Sequence, residues 1–405
     1  MDLSPTPEQE KFRSACREWL QANLSWDYGS GFPPHFHDLA EEVAFLRTWQ
    51  HRLAADRWVG ITWPERFGGR EEGAIFHYIV QEELARARAP ELVGRIGINL
   101  VGPTLLAHGT AEQQARWLPD ILRADTLWCQ LFSEPDAGSD LASLSTRATR
   151  WDNENGAGDR EAPGWRITGQ KVWTSYAQFA DWGLLLARSD HNPATRKQAG
   201  ITAFALDMRS PGVTCRPLRQ ITDEHDFNEV FLDDVFVPDQ HVIGSVHDGW
   251  RVSQSTLTHE RGTNPRQLVI HTQLLEELFR LAIANDAILD HRLQQRLAEA
   301  YVEVRIFQLH NWRSLSRIQS GKPLGPEGSA LKLYWSEMSK RLHETAMAVL
   351  GDAAPLWWDA HHNPGDGRWQ RSWLYYQSAS VFAGTNEIQR TIVGERVLGL
   401  PRPPG

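Results

Sequence analysis

The spacing of apolar residues changes period twice along this 405-residue chain, and the change restricts it to folds in which helices flank a β domain. Thr6-Pro7-Glu8-Gln9 puts a hydroxyl at an N-cap, Pro at the first helical position and Gln at the third, and Phe12, Ala15, Cys16, Trp19 and Leu20 then mark one apolar stripe. The device recurs at Thr110-Ala111-Glu112-Gln113, ahead of Trp117, Leu118, Ile121 and Leu122. The chain up to about residue 125 is therefore predicted to be mainly helical, with turns near Trp63-Pro64 and Phe67-Gly68-Gly69. From Thr126 to Pro238 the apolar runs shorten. Trp165 to Thr168, Gly183 to Ala187, Ile201 to Leu206 and Glu229 to Val237 read as strands, and the polar stretches Asp152 to Gly164 and Asp190 to Gly200 as hairpin loops. Past Gly249 the helical period returns, with long helices predicted over Leu268 to Ile283, Leu289 to Ile318, Ser329 to Leu350 and Trp369 to Val381. The implied domains are 1–125, 126–240 and 241–405.

Composition removes several function classes. Acidic residues outnumber basic ones, 51 to 42, for a formal net charge of −9, so there is no electrostatic footprint for nucleic acid or for an anionic membrane surface. Cys16, Cys129 and Cys215 are far apart and form no C-x-x-C, which suggests neither a disulfide framework nor a thiolate metal site, and a reducing cytoplasm is the expected location. Met1-Asp2-Leu3-Ser4-Pro5 has no basic n-region leading into an apolar stretch, and no apolar run reaches membrane-spanning length, so a soluble, unprocessed protein is expected. There is no G-x-G-x-x-G after a strand, no Walker A loop and no H-E-x-x-H. His35, His37 and Asp38, or His361-His362, do not complete a ligand set, and no metal is expected. Most of the 18 tryptophans fall inside periodic segments and read as packing anchors; Trp173 is the exception.

Three stretches carry the chemistry. Ser133 to Leu141 reads S-E-P-D-A-G-S-D-L, a polar turn-forming stretch suited to presenting N–H groups and hydroxyls to a ligand. Gly169 to Tyr176 reads G-Q-K-V-W-T-S-Y, and Ala383 to Arg390 reads A-G-T-N-E-I-Q-R. In this order and spacing they resemble the paired and C-terminal signatures of the acyl-CoA dehydrogenase family of flavoenzymes. The resemblance implies an α+β fold: an N-terminal helical domain, a middle β-barrel-like domain and a C-terminal four-helix bundle. It also implies FAD. Gln130 and Leu131 would lead into the site, Phe132 and Ser133 would contact the flavin ring, and Ser139 would lie near the ribityl-pyrophosphate and the acyl-CoA. Trp173 would flank the flavin, with Thr174 and Ser175 at its edge. Gly384, Thr385 and Glu387 would meet the cofactor, capping of the following helix by Thr385 or Asn386 being the competing role.

The implied reaction needs a base for the proton alpha to a thioester carbonyl and an acceptor for the beta hydride. Many family members place a Glu just before the C-terminal Gly-Thr, where this chain has Ala383. A subset carries the base in a Glu-Arg pair on the first long helix of the C-terminal domain. Thr258-His259-Glu260-Arg261 matches it, which makes Glu260 the expected base and Arg261 a substrate-orienting residue, while the Ala383 N–H can still donate to the thioester oxygen. Two departures concern assembly. Arg280 to Gln295 lacks the Arg followed by Phe-Gly that reaches the FAD of a neighbouring subunit, leaving Arg266 or Arg292 as replacements, and the family's Gly-Gly is reduced to Leu350-Gly351-Asp352. The expected partners are an acyl-CoA substrate and an electron-transfer flavoprotein or similar acceptor, in a homo-oligomer, with a mixed oligomer as the alternative. Rival readings are a flavin oxidase or monooxygenase, a carrier-protein thioester desaturase of the same fold, and a scaffold subunit suggested by Ala383.

Overall fold

The computed structural model describes residues 4–29, 32–34, 36, 38–151, 163–259, 265–322, 325–357 and 367–401. Glu260, Arg261, His35, His37, His361, His362 and nearly all of the Asp152 to Gly164 loop lie outside them. Among the described residues the helices are α1 (Pro7–Asn23), α2 (Leu39–Ala55), α3 (Ala74–Arg86), α4 (Gly102–His108), α5 (Ala111–Arg123), α6 (Gly249–His259), α7 (Pro265–Ala284), α8 (His291–Gln319), α9 (Gly328–Leu350), α10 (Arg368–Gln377) and α11 (Asn386–Ile392). The strands are β1 (Trp128–Leu131), β2 (Arg147–Trp151), β3 (Gly164–Ser175), β4 (Trp182–Arg188), β5 (Ile201–Asp207), β6 (Val213–Leu218), β7 (Phe227–Pro238) and β8 (Val242–Ile243). The result is the expected α+β arrangement of helices, a central sheet and helices again.

By compactness the segments group into two units, Met1–Pro34 with Glu72–Ala89 and Arg261–Gly405, and His35–Glu71 with Pro90–Glu260. The second unit holds the β sheet. Its strands run β6-β7-β3-β2-β4-β5-β8, with β1 added in parallel to β4. β4 and β5 are buried over almost their whole length, which suits their unbroken apolar runs. The core between strands is built from Leu131, Ile167, Leu185, Phe204, Val230 and Val235. The capping box that opens α5 forms as the sequence predicts, Gln113 N to Thr110 Oγ1 at 3.2 Å and Thr110 N to Gln113 Oε1 at 3.0 Å. The same Gln113 reaches on through Nε2 to the carbonyls of Gln240 (2.9 Å) and Val242 (2.8 Å), so the cap also ties α5 to β8.

The first unit is helical. Glu83 of α3 is fully buried and accepts from Arg13 (2.9 Å), Arg17 (3.0 and 3.1 Å) and the Tyr28 hydroxyl (2.5 Å), which fixes α1 on α3. Burial alone would push this carboxyl up; the bonds from Arg17, Tyr28 and Arg13 outweigh it and hold Glu83 below its usual range. The helix predicted over Trp369 to Val381 is shorter than expected, because α10 stops at Gln377 and gives way to a 3₁₀ turn over Ser378–Ser380. The hydroxyls of Ser378 and Ser380 donate to the carbonyls of Tyr375 (2.6 Å) and Gln377 (3.2 Å), competing with the helical backbone bonds there.

The helical core contains a buried histidine pair. His271 Nδ1 lies 2.7 Å from the Gln267 carbonyl and His343 Nδ1 lies 2.7 Å from the Ser339 carbonyl, so both Nδ1 atoms carry hydrogen. His271 Nε2 is 2.8 Å from Ser339 Oγ, and the His343 ring stacks on Tyr376 with centroids 4.5 Å apart. Burial pushes His271 down to about 4 and His343 to about 3, from an ordinary 6.5. His241, in the other unit, is brought to about 4 by burial and the nearby Arg116. Folded histidines depressed in this way contribute stability that is complete above pH 6.5 and lost as pH falls toward 4, because the unfolded chain takes up the protons first. The resistance to urea is therefore expected to fall between pH 6.5 and 5, before the carboxylates titrate; a midpoint that stays level over that window would contradict these assignments.

Candidate functional site

The first two signatures meet in the second unit through a buried ion pair. Lys171, on β3, has no exposed surface, and its ammonium lies 2.8 Å from Glu134 Oε1 and 3.2 Å from the Phe132 carbonyl. Glu134 accepts further from Ser145 N (2.6 Å), Ser145 Oγ (2.8 Å) and Thr146 N (2.9 Å). Burial works to raise this carboxyl, and Lys171 with the N–H and O–H donors more than compensates, bringing it down to about 2. A backbone bond from Val172 N to Ser133 O (2.9 Å) runs beside the pair, and reciprocal bonds between Glu134 and Ala137 (3.0 and 3.1 Å) close the Pro135-Asp136 turn. Neither Glu134 nor Lys171 was expected as a site residue, although each signature carries one charge of the pair.

Next to Lys171, β3 carries a bulge. Lys171 pairs with Val230 and Thr174 with Asn228, so three steps on β3 face two on β7. The extra residue turns Trp173 into the left-handed region at φ +60°, a costly conformation for a bulky side chain. Trp173 stands 63% exposed, its ring edge-on to Phe227, and is the most exposed of the described tryptophans, most of which are buried or half-buried. Thr174 is buried, and its hydroxyl finds no partner among the described residues. Ser175 is half-buried and Ser139 exposed. Gln130 and Leu131 lie on β1 and lead to Phe132 and Ser133; Leu131 and Phe132 are buried, and the Leu131 side chain fills the β core close to Gly183.

The third signature lies in the first unit. Ala383 and Gly384 are both left-handed, at φ +54° and +85°. Lys332 of α9 donates to the Gly384 carbonyl (2.8 Å) and Gln389 Nε2 to those of Ala383 (3.0 Å) and Gly384 (3.1 Å). Thr385 takes the capping role, its Oγ1 accepting from Ile388 N at 3.3 Å. Glu387 is exposed, with a carboxyl oxygen 3.5 Å from Arg390. Of the two arginines considered as replacements for the cross-subunit contact, Arg266 donates to the Ala89 carbonyl at 2.8 Å and Arg292 extends into solvent with a 93% exposed side chain.

Residues 6–125, 129–235 and 247–398 match the models of the acyl-CoA dehydrogenase N-terminal, middle and C-terminal domains. Acyl-CoA dehydrogenase IpdE1 of Mycobacterium tuberculosis is 38% identical over 398 residues, covering 97% of this chain and 98% of that protein. Among solved structures, the Tcur3481-Tcur3483 steroid ACAD is similar with a TM-score of 0.82 at 25% identity, over 100% of both chains. The ChsE4-ChsE5 complex from Mycobacterium tuberculosis gives a TM-score of 0.81 at 29% identity, again over 100% of both chains. The chain is an oxidoreductase acting on CH–CH bonds. It belongs to the acyl-CoA dehydrogenase family.

The β3 wall fits the flavin that this family implies. A planar ring system needs a flat apolar neighbour and edge donors, and Trp173 with the unpaired hydroxyl of Thr174 and the half-buried Ser175 offers both. Lys171→Met would leave Glu134 buried without its counter-charge, at a cost of about 3–5 kcal/mol. Urea unfolding of the β unit should register that loss, and the double variant Lys171→Met with Glu134→Gln should recover part of it. A single variant as stable as the wild type would show that the pair does not hold the two signatures together.

Proposed function

We propose that the chain catalyses FAD-dependent α,β-dehydrogenation of an acyl-CoA thioester, with Glu260 as the base. The observation that carries this reading is the joining of the first two signatures by Lys171 and Glu134 into a wall that exposes Trp173 on a left-handed bulge. The bound flavin would supply the acceptor for the beta hydride. Phe132, Ser133, Trp173, Thr174 and Ser175 would hold the ring, with Gln130, Leu131 and Ser139 beside it. Gly384, Thr385 and Glu387 are proposed as cofactor contacts on the strength of their motif. Glu260 would take the alpha proton, Arg261 would orient the substrate, and the Ala383 amide would donate to the thioester oxygen as negative charge develops there. The boundaries 1–125, 126–240 and 241–405 are proposed for the three domains, an electron-transfer flavoprotein or similar protein as electron acceptor, and the cytoplasm as location.

The substrate class follows from Ala383. A methyl group where many relatives carry a carboxylate leaves room beside the thioester, and one similar solved structure is described as a steroid ACAD. We therefore favour bulky, ring-bearing acyl groups over straight chains. An acyl-CoA panel with an artificial electron acceptor tests the reading, and a clear preference for unbranched thioesters would reverse the substrate assignment. Glu260→Gln keeps the shape and removes the proton acceptor, so turnover should fall by about 10²–10⁴-fold with FAD retained. Near-normal turnover would make Glu260 a surface carboxylate. Trp173→Ala and Ser175→Ala should each lower flavin occupancy or shift the visible spectrum, the first by removing a packing face and the second a hydrogen bond. An unaltered spectrum and occupancy in both would place the middle signature away from the cofactor.

A second reading is a subunit of a mixed oligomer. It is favoured by the absence of the Arg-Phe-Gly motif between Arg280 and Gln295 and by the paired names of the two similar solved structures. Mass in solution and FAD per chain for the protein purified alone separate the two: a flavin-poor, inactive preparation points to a missing partner, and a flavin-loaded, active homo-oligomer supports the first reading.

A further inference from the structure

The Ala383–Gly384 corner is held from one side only. Ala383 pays the steric cost of a left-handed conformation despite its Cβ, and Gly384 follows it into the same region. Both carbonyls are occupied by long side chains, Gly384 O by Lys332 and Gln389 and Ala383 O by Gln389. Asn386, buried, extends the clamp, since its Oδ1 accepts from Lys332 (3.2 Å) and Ser336 (3.0 Å) and its Nδ2 donates to Glu337 (2.6 Å). In a trans peptide the N–H points opposite to the C=O, so fixing these carbonyls turns the amides of Gly384 and Thr385 away from the clamp. The amides of Ala383, Gly384 and Thr385 make no hydrogen bond among the described residues.

Lys332 is an expensive way to tie two helices together. It forms no salt bridge among the described residues, and its half-buried ammonium is spent on a carbonyl and an amide oxygen. Burial pushes it down to about 8, against the pull of Glu387 and Glu337. A compact cation with rotatable donors suits a corner whose two acceptors lie in different directions.

We propose that Lys332 is a positioning residue for the reaction: through the Gly384 carbonyl it fixes the Gly384–Thr385 peptide and, together with Gln389 on the Ala383 carbonyl, it holds the left-handed corner whose Ala383 amide is the proposed donor for the thioester oxygen. This rests on the acyl-CoA dehydrogenase reading given above. The corner's unpaired amides are then a preorganised feature of the ground state, and loosening them costs rate more than substrate affinity.

The test uses the full chain with FAD bound and the acyl-CoA that the panel selects. Lys332→Met, which keeps the length of the side chain and removes its donors, is expected to lower kcat on the order of tenfold or more with KM nearly unchanged. Lys332→Gln, which keeps a donor, is expected to restore part of that loss. Hydrogen exchange of the Ile388 and Gln389 amides, which bond to Thr385 at the corner, should accelerate in the Met variant while α7 to α9 keep their protection. Wild-type kcat in the Met variant, or unaltered exchange at the corner, overturns the proposal. Should Lys332→Met fail to fold, Lys332→Arg keeps the charge and alters the reach; the same fall in kcat at constant KM supports the assignment, and wild-type kcat refutes it. If the wild-type chain turns over no thioester, the functional reading fails on that result, and the exchange measurement alone decides whether Lys332 orders the corner.

Discussion

Lys171 and Glu134 carry opposite charges into the buried interior, and that placement governs the β unit. A buried carboxylate or ammonium alone would be strongly destabilising, and the pair becomes tolerable because every oxygen of Glu134 is occupied and Lys171 has a carbonyl as a second acceptor. The requirement works in both directions. Segments almost forty residues apart in sequence must meet in one register or both charges are left unsatisfied. Since Val172 N also bonds Ser133 O, the pair sets the point at which the turn after β1 docks on β3. The bulge that exposes Trp173 begins one residue further on, so a conformation that Trp would not choose is held by a neighbour that cannot move.

The helical unit applies the same rule to different groups. Glu83 is buried with two arginines and a tyrosine hydroxyl around it, and His271 and His343 are buried neutral among Phe307, Trp335 and Tyr376. A charge is kept where it can be fully bonded, and suppressed where only ring faces and helix carbonyls are available. Lys332 falls between the two cases, charged and half-buried but bonded to neutral oxygens. Groups in such a position are where a fold commits free energy to geometry rather than to stability, and the corner it holds carries the family's C-terminal motif.

On the proposed mechanism, two tasks that many relatives combine in one short stretch are separated in this chain. The amide of residue 383 can donate whatever its side chain is, whereas proton removal needs a carboxylate, and Ala383 lacks one. The proposed move of the base to Glu260 lets the corner be selected for backbone geometry alone. That is consistent with a corner clamped through its carbonyls by side chains from α9 and α11.

Much of this was legible in the sequence because it depends on local periodicity. The capping boxes at Thr6 and Thr110 lie within four residues, β4 and β5 are unbroken apolar runs, and α7, α8 and α9 repeat one stripe over many turns. β2 and β6 escaped, because Arg147–Trp151 is mostly exposed and Val213–Leu218 turns only Val213 and Cys215 toward the β core, too short a pattern to stand out; they become strands through pairing with β3 and β7. The end of α10 at Gln377 escaped for a related reason, since Ser378 and Ser380 act through hydroxyl bonds that propensity does not register. For the site, the motifs named the candidates, and the sequence alone determined the family, the absence of a carboxylate at Ala383 and the presence of the Glu260-Arg261 pair. Only the tertiary structure decided that Glu134 meets Lys171, that Trp173 is left-handed and exposed, and that Lys332 and Gln389 grip the Ala383–Gly384 corner. Those contacts join residues far apart along the chain, and neither period nor composition records which buried charge will find which partner.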